Sequence, residues 1–253
     1  MKVIPAAAGE GDRSLLAWPA RDGGARRIEL LALDASGPSE ARWITDADHD
    51  ATSPAVAMGP DGAGLVAWVD GMPFGRVTAM PVAPDGTLGP AQALDTEAGG
   101  HPEVAVGPDG AAVVAWPVAG KLHAALRAPG AAAFGAPVTL PTGSVHGWTA
   151  AVTAEGESIV SWIDPEPGAG PRDGARLLAA VAPRGGALGA PELLAEHVAL
   201  VSGAADALTW VEMRPDGPYL AERRVRSRGS PARRRAPVAA ADRLARPTGG
   251  RRA

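Results

Sequence analysis

The feature that most constrains this chain is a tryptophan that recurs at nearly constant spacing. The clearest copies are VAMGPDGAGLVAW (residues 56–68) and VAVGPDGAAVVAW (residues 104–116), in which two apolar runs flank a Gly-Pro-Asp-Gly turn. A regular period in a chain with only seven tryptophans indicates structural repeats. The repeats end at Trp18, Trp68, Trp116, Trp162 and Trp210, which are 50, 48, 46 and 48 residues apart.

Each repeat continues beyond its tryptophan with a variable loop, a third apolar run, a second turn and a fourth run. The fourth run is marked by GPAQAL (residues 89–94), GAPVTL (135–140) and GAPELL (189–194). Four short strands joined by tight turns in each repeat of this length are typical of a β-propeller blade. The sequence therefore predicts an all-β propeller of about five four-stranded blades of 46–50 residues.

The domain prediction is one propeller over residues 1–240, followed by a basic disordered tail over residues 241–253. Every blade has its own four strands, so three arrangements are open: a closed five-bladed ring, part of a larger ring, or an open arc. We expect the closed ring, because an open arc would expose a strand edge and an apolar face. The predicted blades cover residues 1–50, 51–99, 100–145, 146–195 and 196–240.

The strand that ends at each tryptophan has one bulky and one small face. Side chains alternate across a strand, so the large residue two positions before the tryptophan shares its face, and the small residue just before it lies on the other. We predict that all five repeat tryptophans are structural and fill the gaps between blades, with a partner for each indole N–H. The small residues are Ala17, Ala67, Ala115, Ser161 and Thr209.

The hairpin VAVGPDGAAVVAW with its following GPAQAL resembles the repeat of bacterial β-propeller proteins that are sialidase-like or uncharacterised. The resemblance covers residues 3–240 and implies the fold. The Asp-box of sialidases, Ser-x-Asp-x-Gly-x-Thr-Trp, is not present. Sialidases use a tyrosine nucleophile, and the only tyrosine here, Tyr219, falls in the predicted third strand of the last blade. The resemblance therefore implies the propeller fold but points to no particular activity.

Propeller geometry places the variable loops together. The loops that follow the tryptophans and the connections between blades share one rim, here called the variable rim, and the Pro-Asp-Gly turns share the other, the turn rim. Loops on a rigid scaffold are the usual place for binding groups, whereas Asp in such turns is a turn-former. The candidate ligand-binding residues on the variable rim are His49, Asp70, His101, His146, Asp164 and Glu212.

One acidic loop resembles a metal-binding pattern. Asp46, Asp48 and Asp50 alternate as carboxylates do in calcium loops, but the glycine and the distant bidentate glutamate of that pattern are missing. We therefore keep calcium as a weak candidate, expect no other cofactor, and favour a solvated loop. Metal ligation by the loop histidines is a weaker candidate, since single loop histidines are more often surface or hydrogen-bonding residues. A Ser144–His146 nucleophile–base pair is weaker still, since no third member can be assigned.

Charge is divided unevenly along the chain. Residues 222–253 carry a net charge of +9 and the rest carry −13. We interpret the basic region as an exposed outer strand with a tail, with a polyanion-binding strip as the alternative. We expect a protein or glycan partner, no nucleic acid and a monomer.

The sequence predicts neither a membrane span nor a signal peptide. No apolar stretch is long enough to cross a bilayer, and the start MKVIPAAAGEGDRS has too short an apolar segment for export. As written this indicates a cytoplasmic protein, or an extracytoplasmic one if the start is truncated. With no cysteine, disulfides and thiol nucleophiles are excluded.

The sequence contains no catalytic motif, so the first functional hypothesis is a non-catalytic binding or scaffold module. It would engage a carbohydrate, peptide or protein on the variable rim. One alternative is a sialidase-like or other glycan-active hydrolase that uses rim carboxylates, which would have to converge in pairs. The other is a truncated gene product without independent activity.

Overall fold

Five antiparallel β-sheets follow one another along the chain. They are seen in a computed structural model that describes residues 5–48, 50–71, 75–95, 99–165, 175–204, 207–214, 217–224 and 233–237. In every sheet the strands pair in chain order, and in the first sheet along the chain the outer position is shared by two short strands that both pair with the third strand. The predicted all-β fold of five four-stranded blades is confirmed.

The strand bounds define the five sheets. Sheet I contains β1 (Ala6–Glu10), β2 (Arg13–Asp22), β3 (Ala25–Asp34), β4 (Gly37–Pro38) and β5 (Arg42–Trp43). Sheet II contains β6 (Ala51–Met58), β7 (Gly64–Asp70), β8 (Arg76–Val82) and β9 (Gln92–Ala93). Sheet III contains β10 (Glu103–Val106), β11 (Ala112–Val118), β12 (Lys121–Arg127) and β13 (Val138–Leu140), with a 3-10 turn at Pro108–Gly110. Sheet IV contains β14 (Gly147–Val152), β15 (Ser158–Pro165), β16 (Ala175–Ala182) and β17 (Glu192–Ala195). Sheet V contains β18 (Val198–Ala204), β19 (Ala207–Arg214), β20 (Gly217–Arg224) and β21 (Arg233–Pro237).

Consecutive sheets pack face to face, and each packing has the same direction. The small residue before one tryptophan lies buried against the sheet that carries the next tryptophan. In sheets I and II, for example, Leu15 and Ala17 share a buried cluster with Val66 and Trp68. The same relation joins sheets II and III, III and IV, and IV and V. The buried repeat tryptophans are Trp68, Trp116, Trp162 and Trp210.

The two ends of this stack are different from its middle. Within the described residues, no packing of comparable extent joins sheet V to sheet I. Trp18 on sheet I and Thr209 on sheet V are accordingly only partly buried. The described sheets thus form an open arc, and the expected closed ring is not seen in them.

Glycines let the innermost strands approach closely. A Cβ at Gly59 would lie 2.9 Å from the carbonyl oxygen of Gly107, and a Cβ at Gly107 would lie 2.9 Å from the Cβ of Val152. Both glycines stand nine residues before their repeat tryptophan, so the same close contact recurs at the same position of the two repeats. Glycine in a strand region commonly marks such a close backbone approach.

Two sequence predictions concern parts of the chain that are only partly described. The arginine run 233–235 falls in the outer strand of sheet V, whereas the predicted tail, residues 241–253, lies outside the described residues. Among the described residues no helix is long and apolar enough to cross a membrane.

Candidate ligand-binding site on the variable rim

The variable rim holds a cavity of about 420 Å³ between sheets IV and V, here called the rim cavity. This volume falls in the range of ~300–1,000 Å³ usual for small-ligand sites. Two imidazoles, those of His146 and His197, lie on it and are exposed to solvent. The other lining residues are Gly147, Trp148, Ile163, Ala175, Val198, Ala199, Leu200, Val201 and Met213.

Backbone hydrogen bonds fix the positions of the two histidines. The N–H of His146 donates to the carbonyl of Ile163 at 3.2 Å, just before β14 begins. The carbonyl of His197 accepts from the N–H of Met213 at 2.7 Å. His197 has a φ of 56°, a left-handed conformation that is uncommon for a residue with a side chain. The rim cavity is therefore built on the ends of strands rather than on loops alone.

Asp164, a predicted ligand-binding residue, is buried and supports the loop that leads to His146. Its Oδ1 accepts from the N–H groups of Gly143 and Ser144, at 3.1 and 3.2 Å. Its Oδ2 lies 3.5 Å from Nη2 of Arg176. The carboxylate is thus occupied with holding the connection between sheets III and IV.

The other two rim carboxylates are also paired with arginines. Asp70 Oδ2 lies 3.6 Å from Nη2 of Arg76. Glu212 accepts from Nε1 of Trp210 at 3.2 Å and from Nε of Arg214 at 3.0 Å.

The three carboxylates share one position in the repeat. Asp70, Asp164 and Glu212 each stand two residues after a repeat tryptophan, so strand alternation puts them on the tryptophan's face in three different sheets. This spacing was the signal in the sequence that they are structural equivalents.

The remaining predicted site residues are not brought together. His101 Nε2 lies 3.5 Å from Oε1 of Glu103, and both side chains are well exposed. Asp46, Asp48 and Asp50 are exposed, and Asp50 accepts a hydrogen bond from the N–H of Arg26. His49 lies outside the described residues. Among the residues that the structure describes, no group of three His, Asp or Glu side chains is arranged to hold a metal ion.

One polar network, between sheets II and III, was not predicted from the sequence. His123 Nδ1 lies 2.8 Å from Oδ2 of Asp95, both side chains being largely buried, and its Nε2 lies 3.2 Å from Oγ1 of Thr139. The imidazole also meets the indole of Trp116 edge-on, with ring centroids 6.0 Å apart. His123 is the cross-strand partner of both Trp116 and Thr139. The network ties the connection between the two sheets to the body of sheet III.

The turn rim shows the local bonding expected of turn-forming aspartates. Asp61 Oδ1 accepts from the N–H of Ala63 at 3.1 Å, and Asp85 Oδ1 accepts from the N–H of Thr87 at 2.8 Å. The hydrogen bond from the Thr87 backbone holds the pKa of Asp85 below its ordinary value. Asp109 has a φ of 55° and pairs with Arg184.

A second cavity of about 300 Å³ lies on the turn rim between sheets III and IV. Arg127 borders it and is buried, with its Nε donating to the carbonyl of Gly110 at 2.8 Å. Burial lowers the pKa of the Arg127 guanidinium below its ordinary value. Most of the lining is alanine, glycine, proline and leucine, so this cavity offers fewer polar groups than the rim cavity.

Comparison with known proteins identifies the fold. No protein-family model matches the sequence, and no curated protein matches it either. A puromycin-hydrolyzing peptidase of Mycobacterium tuberculosis is similar in structure, with a TM-score of 0.54, 14% identity, and coverage of 93% of this chain and 38% of that one. A Hadza microbial sialidase has a TM-score of 0.51, 12% identity, and coverage of 88% and 56%. The β-propeller domain of the Trilobed protease from Pyrococcus furiosus, which has an open velcro topology, has a TM-score of 0.51, 7% identity, and coverage of 87% and 82%.

These similarities are of fold. The chain spans less than two fifths of the length of the puromycin hydrolases that it matches, 37% in one and 38% in another. Structures that share so little sequence identity with a chain carry no activity over to it. The five sheets and these neighbours together show that the chain is a β-propeller.

Proposed function

We propose that this propeller is a non-catalytic binding module that takes an apolar segment of a peptide or protein into the rim cavity. The observation that carries the proposal is the cavity itself, whose walls are mainly apolar and whose polar side chains are two imidazoles. Ligand sites are usually concave and apolar, with a few polar groups that orient the ligand.

The exposed side chains at the cavity favour a peptide. Leu200 is 67% exposed and Met213 is 45% exposed, and the Trp148 indole lies beside them. Methionine and aromatic residues are enriched where proteins bind other chains, because they adapt their shape to apolar partners. A cluster of this kind in contact with water is typical of an interaction site.

The carboxylates favour binding over glycoside hydrolysis. Hydrolysis of a glycosidic bond needs two carboxyl groups roughly 5–10 Å apart across the substrate. Asp164 holds a loop, Glu212 is bonded to Trp210 and Arg214, and Asp70 pairs with Arg76, each in its own sheet. The structural neighbours include a peptidase and a sialidase, so peptides and glycans both belong in the test.

The test fills the cavity without disturbing the core. Ala199 lines the cavity and is exposed, so Ala199→Arg adds bulk there, while Ala93→Arg places the same change on the exposed outer strand of sheet II. Both variants and the unmodified chain are applied to an array of immobilised peptides, each with one apolar residue in a Gly-Ser background, and to a glycan array.

We expect retention on peptides with leucine, methionine or aromatic residues, a loss of at least tenfold in Ala199→Arg, and unchanged retention in Ala93→Arg. Equal retention by all three proteins, or absence of peptide binding, would overturn the proposal. Binding to glycans alone, lost in Ala199→Arg, would replace the peptide with a carbohydrate at the same cavity.

A further inference from the structure

The packing between sheets is directional, and this leaves two different faces at the ends of the stack. One sheet always contributes the face with the small residue that precedes its tryptophan, here called the small-residue face. The next sheet contributes the face with the tryptophan, here called the tryptophan face. This pairing occurs four times along the chain.

The tryptophan face of sheet I has nothing packed on it among the described residues. In sheet II the equivalent side chains, Val66, Trp68 and Met80, are buried against sheet I. On sheet I Leu16 and Trp18 are only partly buried. At the edge of the same face Leu33, whose cross-strand partner is Ser14, is 40% exposed.

The small-residue face of sheet V is open in the same way. In sheet IV the cross-strand pair Ile163 and Leu177 is buried against sheet V. The equivalent pair on sheet V is Val211 and Leu220, of which Leu220 is 39% exposed and Val211 partly exposed.

We propose that the small-residue face of sheet V binds the tryptophan face of sheet I in a second copy of this chain. The two open faces are the two halves of an interface that the chain already forms four times, so each is shaped for the other. Within one copy they stand at opposite ends of the arc, and no extensive packing joins them among the described residues.

Two copies can satisfy both faces at once. The contact is heterologous, and such contacts close into a ring when the rotation allows it. Two arcs joined at both ends would form one ring with all repeat tryptophans covered. A dimer of this kind differs from the monomer expected from the sequence, and its interface does not involve the rim cavity.

The experiment blocks each face separately. Leu33→Glu places a charge on the tryptophan face and Leu220→Glu places one on the small-residue face, at positions that are almost equally exposed. Leu193→Glu is the control, because Leu193 is 52% exposed on the outer strand of sheet IV, away from both faces. Mass is measured by sedimentation over a concentration series, and folding is checked by far-UV circular dichroism.

We expect the unmodified chain and Leu193→Glu to form dimers, and each blocked variant to be a monomer on its own. A mixture of the two blocked variants should again form a one-to-one complex, because each retains the face that the other lacks. Dissociation of this single-contact complex should need less dilution than that of the unmodified dimer.

Three results would overturn the proposal. The first is an unmodified chain that is monomeric at every concentration, as closure of one chain on itself would produce. The second is self-association of either blocked variant, which would mean that a face pairs with its own kind. The third is a mixture that fails to associate although both variants are folded. The Ala199→Arg variant should still dimerise, which separates this proposal from the proposed function.

Discussion

At the scale of the residue, the repeat tryptophans stabilise this molecule through the apolar surface that they bury more than through hydrogen bonds. The indole Nε1 atoms of Trp68, Trp116 and Trp162 have no hydrogen-bond partner in the described part of the chain, and only that of Trp210 is seen to donate, to Glu212. The sequence led us to expect a partner for each indole. A buried N–H without a hydrogen-bond partner costs ~1–3 kcal/mol. The stabilisation from the apolar contacts of a buried indole exceeds this cost.

The tryptophans allow a matched comparison between a covered and an open face. Trp116→Ala should lower the free energy of unfolding by ~3–5 kcal/mol, because a fully buried aromatic side chain is lost and a cavity remains. Trp18→Ala should cost less than half of that in dilute protein, because Trp18 is only partly buried. Urea unfolding followed by circular dichroism measures both. Equal losses would mean that the face around Trp18 is already covered in the isolated chain.

At the scale of the element, the inner strands agree with the sequence better than the outer ones. The predicted fourth run over residues 89–94 forms only the two-residue strand Gln92–Ala93, and the run over 135–140 forms only Val138–Leu140. An outer strand has one neighbour and half the ladder of hydrogen bonds, and the proline and glycine at the start of these runs pair poorly. Apolar spacing predicts that a strand exists there but not its length.

The glycines of the inner hairpins give a prediction about sheet-to-sheet distance. Gly107→Ala would place a Cβ 2.9 Å from the Cβ of Val152 on the next sheet, and a β-branched side chain has few other rotamers to adopt. We expect a loss of ~1–3 kcal/mol, the usual effect of overpacking. Gly24→Ala is the control, because nothing lies within 4 Å of its Cβ position. Equal melting temperatures for the two variants would show that the sheets can separate freely.

At the scale of the whole molecule, the repeat could be read from sequence and the ligand site could not. The tryptophan period gave five sheets with their strand order. The rim cavity depends on His146 and His197, which lie in two different connections, and on which faces of sheets IV and V meet. No local pattern carries that information. The arginine partners of Asp70 and Asp164 lie on the neighbouring strand, so these two ion pairs become visible only once the strands pair.

A stack of sheets that contact only their neighbours should also be least stable at its ends. Within the ranges that the structure describes, sheets II to IV are covered on both faces, and sheets I and V on one. Stability in such arrays is nearly a sum of neighbour contacts, so the end sheets should open locally at lower free energy. Hydrogen exchange measured by mass spectrometry should therefore show slow exchange in β11 and β15 and faster exchange in β2 and β19. Raising the protein concentration should slow exchange in β2 and β19 together, because the proposed head-to-tail contact covers both. Slowing in only one of them would contradict that contact, and uniform exchange across all five sheets would contradict the open arc.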